Sequence, residues 1–285
     1  MSQSLSSVAR EEFDSMVHQE FQGVAELDGT VTMRTGVVGD TYDFRRMARG
    51  IANQKASADD VTPMDVAHSV QVATLQNWLA PEFTDIFDQA EVNFDEKLEL
   101  AQTIAMALGR RDDQLIIDAL DAATPTTTTV GQAVGADTAM NKGKVLRAAS
   151  ELNEKGVPRT DRNRYLATSA NGLENILDES TAVSTDFVQV QGLITGDITF
   201  WLGFNWRIID DRSAAGEEGG LSIAATVRDS WAWHKAAMGK AVGIARMTEV
   251  NYVPVKTSWL SNGFLKAGSV NRDPQGIVKI QHVEP

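Results

Sequence analysis

Cysteine does not occur in the 285 residues, which excludes disulfides, thiolate nucleophiles and thiolate metal sites together. Basic residues are few beside acidic ones, 26 against 39, leaving a formal net charge of −13. A protein that grips a nucleic-acid backbone needs a basic stripe to displace counterions, and no grouping here is denser than Arg45, Arg46 and Arg49. Sequence-specific DNA binding is therefore not expected. Long apolar runs are missing as well: nothing approaches the roughly 18 consecutive apolar residues of a membrane-spanning helix. The opening MSQSLSSVAREEFDS has no apolar core of signal-peptide length and carries acids early, so secretion is not expected.

The common catalytic motifs also fail at identifiable positions. A P-loop requires G-x-x-x-x-G-K-[ST]. For Gly143-Lys144 the first position holds Thr138 and the last Val145; for Gly239-Lys240 they hold His234 and Ala241. Gly220-Leu221-Ser222-Ile223 begins like a nucleophile elbow, but Ala224 replaces the final glycine, and Glu217-Glu218-Gly219 does not form the strand the elbow needs. His18, His68, His234 and His282 show no H-E-x-x-H spacing. The acidic pairs Asp59-Asp60, Asp112-Asp113 and Asp210-Asp211 lack the spacing of a calcium loop and read as solvated turn or helix surface. The sequence nominates no catalytic, cofactor-binding or metal-ligating residue.

What is present is a chain long enough for one large or two ordinary domains. Residues 1 to about 35 read as a polar, partly helical arm and a Gly- and Thr-rich extended piece. Phe13, Val17 and Phe21 make one narrow apolar stripe, suited either to docking on its own domain or to lying across a neighbouring subunit. From Val37 to Ala80, large apolar residues are few and the middle is charged. Alternation at Val66, His68, Val70 and Val72 predicts a long two-stranded excursion with a charged tip at 45–60. Phe94, Leu98, Ala101, Ala105 and Leu108 step by four and three, predicting a helix from Val92 to Asp121, with Gly109 and the Arg110–Asp113 cluster placed to weaken or bend it.

The Thr run AATPTTTTVG reads as a linker. A helix follows over 144–155, with Val145, Leu146, Ala149 and Leu152 on one face. Gly156 is placed to end it in a left-handed residue, and Pro158 prevents its continuation. A strand at 164–167 and a helix begun by Ser169 as N-cap complete an α-β-α unit. Asp273-Pro274-Gln275-Gly276 fits a type I turn before a closing apolar strand, Ile277, Val278 and Ile280, that is expected to rejoin the long helix. Five of the six tryptophans, Trp201, Trp206, Trp231, Trp233 and Trp259, fall in the second half, as core or as interface residues.

Three segments carry a resemblance. The first, from Arg164 to Asp210, is a strand ending at Ser169, an L-x-x-I-L helix (Leu173, Ile176, Leu177), a polar Ser184–Phe187 spacer and a G-x-I-x-x-x-x-G-F turn (Gly196, Ile198, Gly203, Phe204). The second is WAWHKAAMGKAVG, Trp231 to Gly243, similar to a signature in which a strand is followed by a short helix. The third is the closing NRDPQGIVKIQHVEP. In this order they resemble the major capsid proteins of tailed double-stranded DNA bacteriophages with the Hong Kong 97-type fold, over about the last two fifths of the chain.

The resemblance implies an α+β protein with an N-terminal arm (1–36), an extended loop or E-loop (37–80), a peripheral (P) domain with a long spine helix (81–124), an axial (A) domain (125–249) and returning strands of the peripheral domain (250–285). It implies a structural, non-enzymatic protein that self-assembles as hexamers and pentamers into an icosahedral head enclosing phage DNA. The segment around Trp231 to Gly243 is expected near the capsomer axis. Implied partners are further copies of the chain, a portal, a separate scaffolding protein, since no scaffolding domain precedes the arm, and a decoration protein; no cofactor, membrane or sequence-specific DNA contact is implied. The expected location is the virion, with assembly in the host cytoplasm. One branch of such proteins joins a loop lysine to a neighbour's asparagine; Lys55 is the only lysine of the loop, and Asn262 and Asn271 are the candidate partners. An encapsulin-like nanocompartment shell and an α/β enzyme of unassigned chemistry stand as alternatives.

Overall fold

Three sheets organise the computed structural model, which describes residues 25–87, 96–135, 137–178, 200–211 and 219–284. Phe13, Val17, His18, Phe21, Phe94, the Ser184–Phe187 spacer, Gly196 and Ile198 lie outside the described residues. With strands numbered in chain order, the first sheet is β1 (Thr32–Thr35), β11 (Met238–Val253), β12 (Ser258–Asn271) and β4 (Gln76–Asp85), side by side in that order. The second runs β5 (Thr128–Val130), β13 (Ile277–Val283), β10 (Val227–His234), β6 (Arg164–Ser169), β8 (Phe204–Ile209) and β7 (Phe200–Trp201), with β9 (Ile223–Ala224) pairing β10. The third is a hairpin of β2 (Thr41–Met47) and β3 (His68–Thr74).

Helix α1 (Glu96–Ala122) joins the first two sheets. Its 27 residues span about 40 Å, and it runs through Gly109 and the charged cluster unbroken. Along its first half Ile104 and Leu108 settle on Val242, Leu265 and Ala267 of the four-stranded sheet. Leu108 of the stripe read off the sequence is buried, but Ala105 is exposed and Ile104 takes the inward place beside it. Further on, Ile116, Ile117 and Leu120 pack with Leu27, Trp231, Trp233, Met238 and Ile277, and the helix is enclosed on almost every side.

Local signals place the remaining helices. Asn141 caps α2 (Lys142–Glu154) by accepting the Lys144 N–H at 3.0 Å. Gly156, at φ +71°, ends it: its N–H reaches the Asn153 carbonyl, and the Val157 N–H reaches Leu152, the paired bonds of a Schellman motif. Val145, Ala148 and Leu152 face inward, whereas Leu146 is exposed. Ser169 starts α3 (Ala170–Asp178), its hydroxyl accepting the Gly172 N–H at 3.0 Å. Leu202 and Gly203, both at positive φ, close the two-residue turn between β7 and β8.

Three expectations need correcting. The Thr run is more than a linker: β5 lies inside it and pairs in parallel with β13, burying Val130. The 250–285 segment divides, β12 entering the four-stranded sheet and β13 the seven-stranded one, although Ile277 does meet α1. The segment Trp231 to Gly243 likewise spans both sheets, passing from β10 through a three-residue 3-10 turn, Lys235–Ala237, into β11. That turn replaces the expected short helix. Trp201, Trp206, Trp231 and Trp233 are all core residues.

Candidate assembly surfaces

The β2–β3 hairpin is anchored at one end only. At its root Phe44 and Ala73 pack with Leu75 and Ala241. Strand pairing runs from Thr41↔Thr74 to Met47↔His68, and an Ala48 to Ala67 hydrogen bond follows. The unpaired tip is therefore 48–67, longer than and displaced from the 45–60 expected. Outward-facing apolar side chains concentrate here: Ile51 and Val61 are each 77% exposed, with Met47, Met64, Val70 and Val72 also open. The hairpin is otherwise held by polar contacts, namely Arg46 to Asp273 at 3.0 Å, the Arg49 guanidinium on the Lys155 carbonyl, and Lys266 to Asp40 at 2.7 Å. The Lys266 ammonium, by hydrogen bond and charge, holds the Asp40 carboxyl below its ordinary range. Lys55 is exposed in the tip, while Asn262 and Asn271 sit within or at the end of β12.

A second open surface lies on the four-stranded sheet. Side chains alternate between faces, and Trp78 and Leu265 pack on α1. The adjacent positions Leu79, Phe264 and Met247, aligned across β4, β12 and β11, therefore point away from it. With Phe83, whose ring lies under the Lys256 ammonium at 3.8 Å, they make an apolar stripe on which Leu79, Met247 and Phe83 are exposed and Phe264 is half-buried. Val255, in the turn joining β11 to β12, is 95% exposed.

Two buried polar groups hold this frame rigid. Asp112 and Asp113, read from sequence as solvated, are both buried. Asp112 meets Lys240 at 2.6 Å, and Asp113 accepts the Glu26 and Leu27 N–H groups at 2.8 and 3.0 Å. The second group lies beneath the seven-stranded sheet. Ser169 donates to Glu284, His282 Nε2 lies 3.0 Å from the same carboxylate oxygen, and Arg228 reaches the other at 2.7 Å. Burial pushes the His282 pKa down despite the pull of Glu284. Burial alone would raise Glu284, but hydrogen bonds from Ser169, Arg228 and His282 keep it below the ordinary value.

The residues tested for chemistry have structural occupations. Ser169 and His282 share Glu284 rather than each other, and Ser169 also caps a helix, so they do not form a nucleophile–base pair. Lys144 is buried on the Asp137 and Ala139 carbonyls, and Lys240 is paired with Asp112; neither ammonium is available to a phosphate. Ser222 donates to Asp121, whose pKa burial raises. His234 lies 2.9 Å from Asp161. Burial alone would raise Asp161, but hydrogen bonds from His234 and Asn163 hold it low. His68 is exposed. Among the described residues, no three His, Asp or Glu side chains come together as a metal site, and no helix is long and apolar enough to cross a membrane.

A family model described as phage capsid protein matches residues 5–284. The chain belongs to this family. No curated protein matches it in sequence, but capsid structures match its fold from end to end. The capsid of cyanophage P-SCSP1u superposes with a TM-score of 0.76 at 15% identity, covering 99% of this chain and 95% of the other. Mycobacterium phage Che8 gives 0.71 at 17%, covering 96% and 97%, and the capsid of Ralstonia phage GP4 gives 0.72 at 10%, covering 98% and 96%. The fold is α+β of the Hong Kong 97 type, and the chain is a major capsid protein, a structural component of the virion. Neither the nanocompartment nor the enzyme reading is favoured. The site of such a protein is its contact surface, which motif reading missed because it is a distribution of exposed apolar side chains. Two signals pointed to it: the low count of core-forming residues between 37 and 80, and the resemblance that made this segment an extended loop.

Proposed function

We propose that the chain works by assembly alone, as hexamers and pentamers that close into an icosahedral head around double-stranded DNA without reading its sequence. In this reading the β2–β3 hairpin is the extended loop that lies over an adjacent subunit, α1 and the four-stranded sheet form the peripheral domain, and the seven-stranded sheet forms the axial domain near the capsomer centre. Adhesive contacts that tolerate more than one rotation suit a surface repeated around both five- and six-fold axes. A portal, a separate scaffolding protein and a decoration protein complete the particle, which assembles in the host cytoplasm. The chain catalyses nothing, and its loop lysine remains uncross-linked.

The observation that carries this reading is the hairpin, whose root is packed and whose tip offers apolar side chains to solvent. Replacing residues 49–66 with a short Gly-Ser turn leaves all seven β2–β3 pairs and the Ala48–Ala67 bond in place. Subunits should stay soluble and melt cooperatively. Losing about 200 Å² of apolar contact would cost at most roughly 5 kcal/mol per interface, enough to prevent closure. Intact shells from this variant, or loss of the cooperative melt, would contradict the assignment.

A further inference from the structure

A cleft of about 640 Å³ opens between β1 and the start of the hairpin. Arg34 from β1, Arg45 from β2 and Arg272 from just beyond β12 line it, with Asp43 as the one carboxylate. The space is built. Gly239 leaves room for two of its walls, since a Cβ there would come within 2.8 Å of Arg272 and 2.9 Å of Phe44. Arg272 lies 5.2 Å over the Phe44 ring, and its buried Nε has no hydrogen-bond acceptor. None of the three arginines has an ion-pair partner among the described residues. In a chain of net charge −13, three unpaired guanidinium groups sharing one cleft repel each other, and an anionic occupant would relieve that repulsion.

We propose that the cleft receives the acidic segment Glu11-Glu12-Phe13-Asp14 from a second copy of the chain. This rests on the shell reading, which sets copies side by side. Three carboxylates answer three guanidinium groups, the pairing that planar, multi-donor arginines make best. Phe13 between them suits the floor made by Tyr42 and Phe44, whose rings meet edge to face at 4.8 Å. The 24 residues before Ala25 reach up to about 80 Å when extended, ample to enter a neighbour. Their root is fixed, because Asp113 holds the Glu26 and Leu27 N–H groups and the Thr30 carbonyl accepts from Trp233. A DNA backbone is the poorer occupant: Asp43 stands in the cleft wall, and the rest of the chain repels phosphate.

The lack of cysteine makes the contact measurable in the full chain. Chains carrying Ser15→Cys and chains carrying Thr41→Cys, which also lines the cleft, are co-assembled and oxidised. The expected product is a disulfide-linked dimer near 62 kDa, twice the 31.0 kDa chain. Arg34→Glu with Arg45→Glu should lower its yield about tenfold, and adding Glu11→Lys with Glu12→Lys should restore it, since the pairing is between opposite charges. Electron microscopy of the parent particles tests the shell reading separately. Shells that form but give no dimer, a yield indifferent to these charges, or a disulfide closing within one chain that carries both cysteines would each overturn the proposal. So would a dimer that appears only in particles emptied of DNA, which would assign the cleft to phosphate.

Discussion

Lys240 Nζ lies 2.6 Å from Asp112 Oδ1, and both side chains are shut away from solvent. The pair joins α1 to the start of β11. Arg246 and Asp28 extend it, with Arg246 Nε 3.7 Å from Asp112 and Lys240 Nζ 3.8 Å from Asp28. Helix, sheet and the segment at Asp28 are therefore fastened at one place.

Breaking that pair from one side should be costly. Lys240→Met leaves the buried Asp112 carboxylate with Arg246 alone, at 3.7 Å, and losses of about 3–5 kcal/mol are typical when one partner of a buried pair is removed. Replacing both, Lys240→Met with Asp112→Leu, should recover most of the loss. Urea unfolding of the subunit reads the difference, and equal stabilities for the single variant and the parent would show that the pair does not hold the frame.

Acid should loosen the seven-stranded sheet. The folded pKa values of His282 and Glu284 both lie below their ordinary ones, so between folded and unfolded values the native state binds fewer protons. Stability is then complete above the ordinary histidine value, near 6.5, and falls as pH drops through the folded values, His282 contributing first and Glu284 below about 4.5. The melting temperature of the subunit should be level from about pH 8 to 6.5 and decline below. His282→Gln should flatten the upper part of that decline; an unchanged slope would place its origin elsewhere.

Gly263 sets how closely α1 can approach the four-stranded sheet. A Cβ at this position would lie 2.3 Å from Ile104 Cγ2 and 2.8 Å from Leu108 Cδ1, both core side chains. Gly263→Ala should therefore destabilise by roughly 1–3 kcal/mol through overpacking. Adding Ile104→Ala should cost less than the separate effects combined, because one change vacates the space the other needs. Strict additivity in thermal melts would count against this contact.

Features coded by neighbouring residues were legible in the sequence. Gly156 as a helix stop, Ser169 as a helix start, the Asp273–Gly276 turn and the strand–helix unit at 164–178 each depend on a few adjacent side chains, and all are present. The misreadings involve distant partners. Asp112 and Asp113 have the composition of a solvated helix surface, and it takes Lys240 and Arg246, with the backbone at Glu26 and Leu27, to make their burial tolerable. The Thr run carries too few apolar residues to announce a strand, yet β13, from the far end of the chain, supplies its partner. Alternation at 66–72 located β3, but it gave no indication that Val70 and Val72 face outward, which follows from Ala73, with Phe44 across the hairpin, taking the inward face.

A reconstruction of the assembled particle by cryo-electron microscopy tests the central claim most directly. The account predicts a closed icosahedral shell of pentamers and hexamers, with residues 48–67 lying on an adjacent subunit and the seven-stranded sheet toward the capsomer axis. A protein that forms no closed particle, or a shell in which that tip contacts only its own subunit, would contradict it.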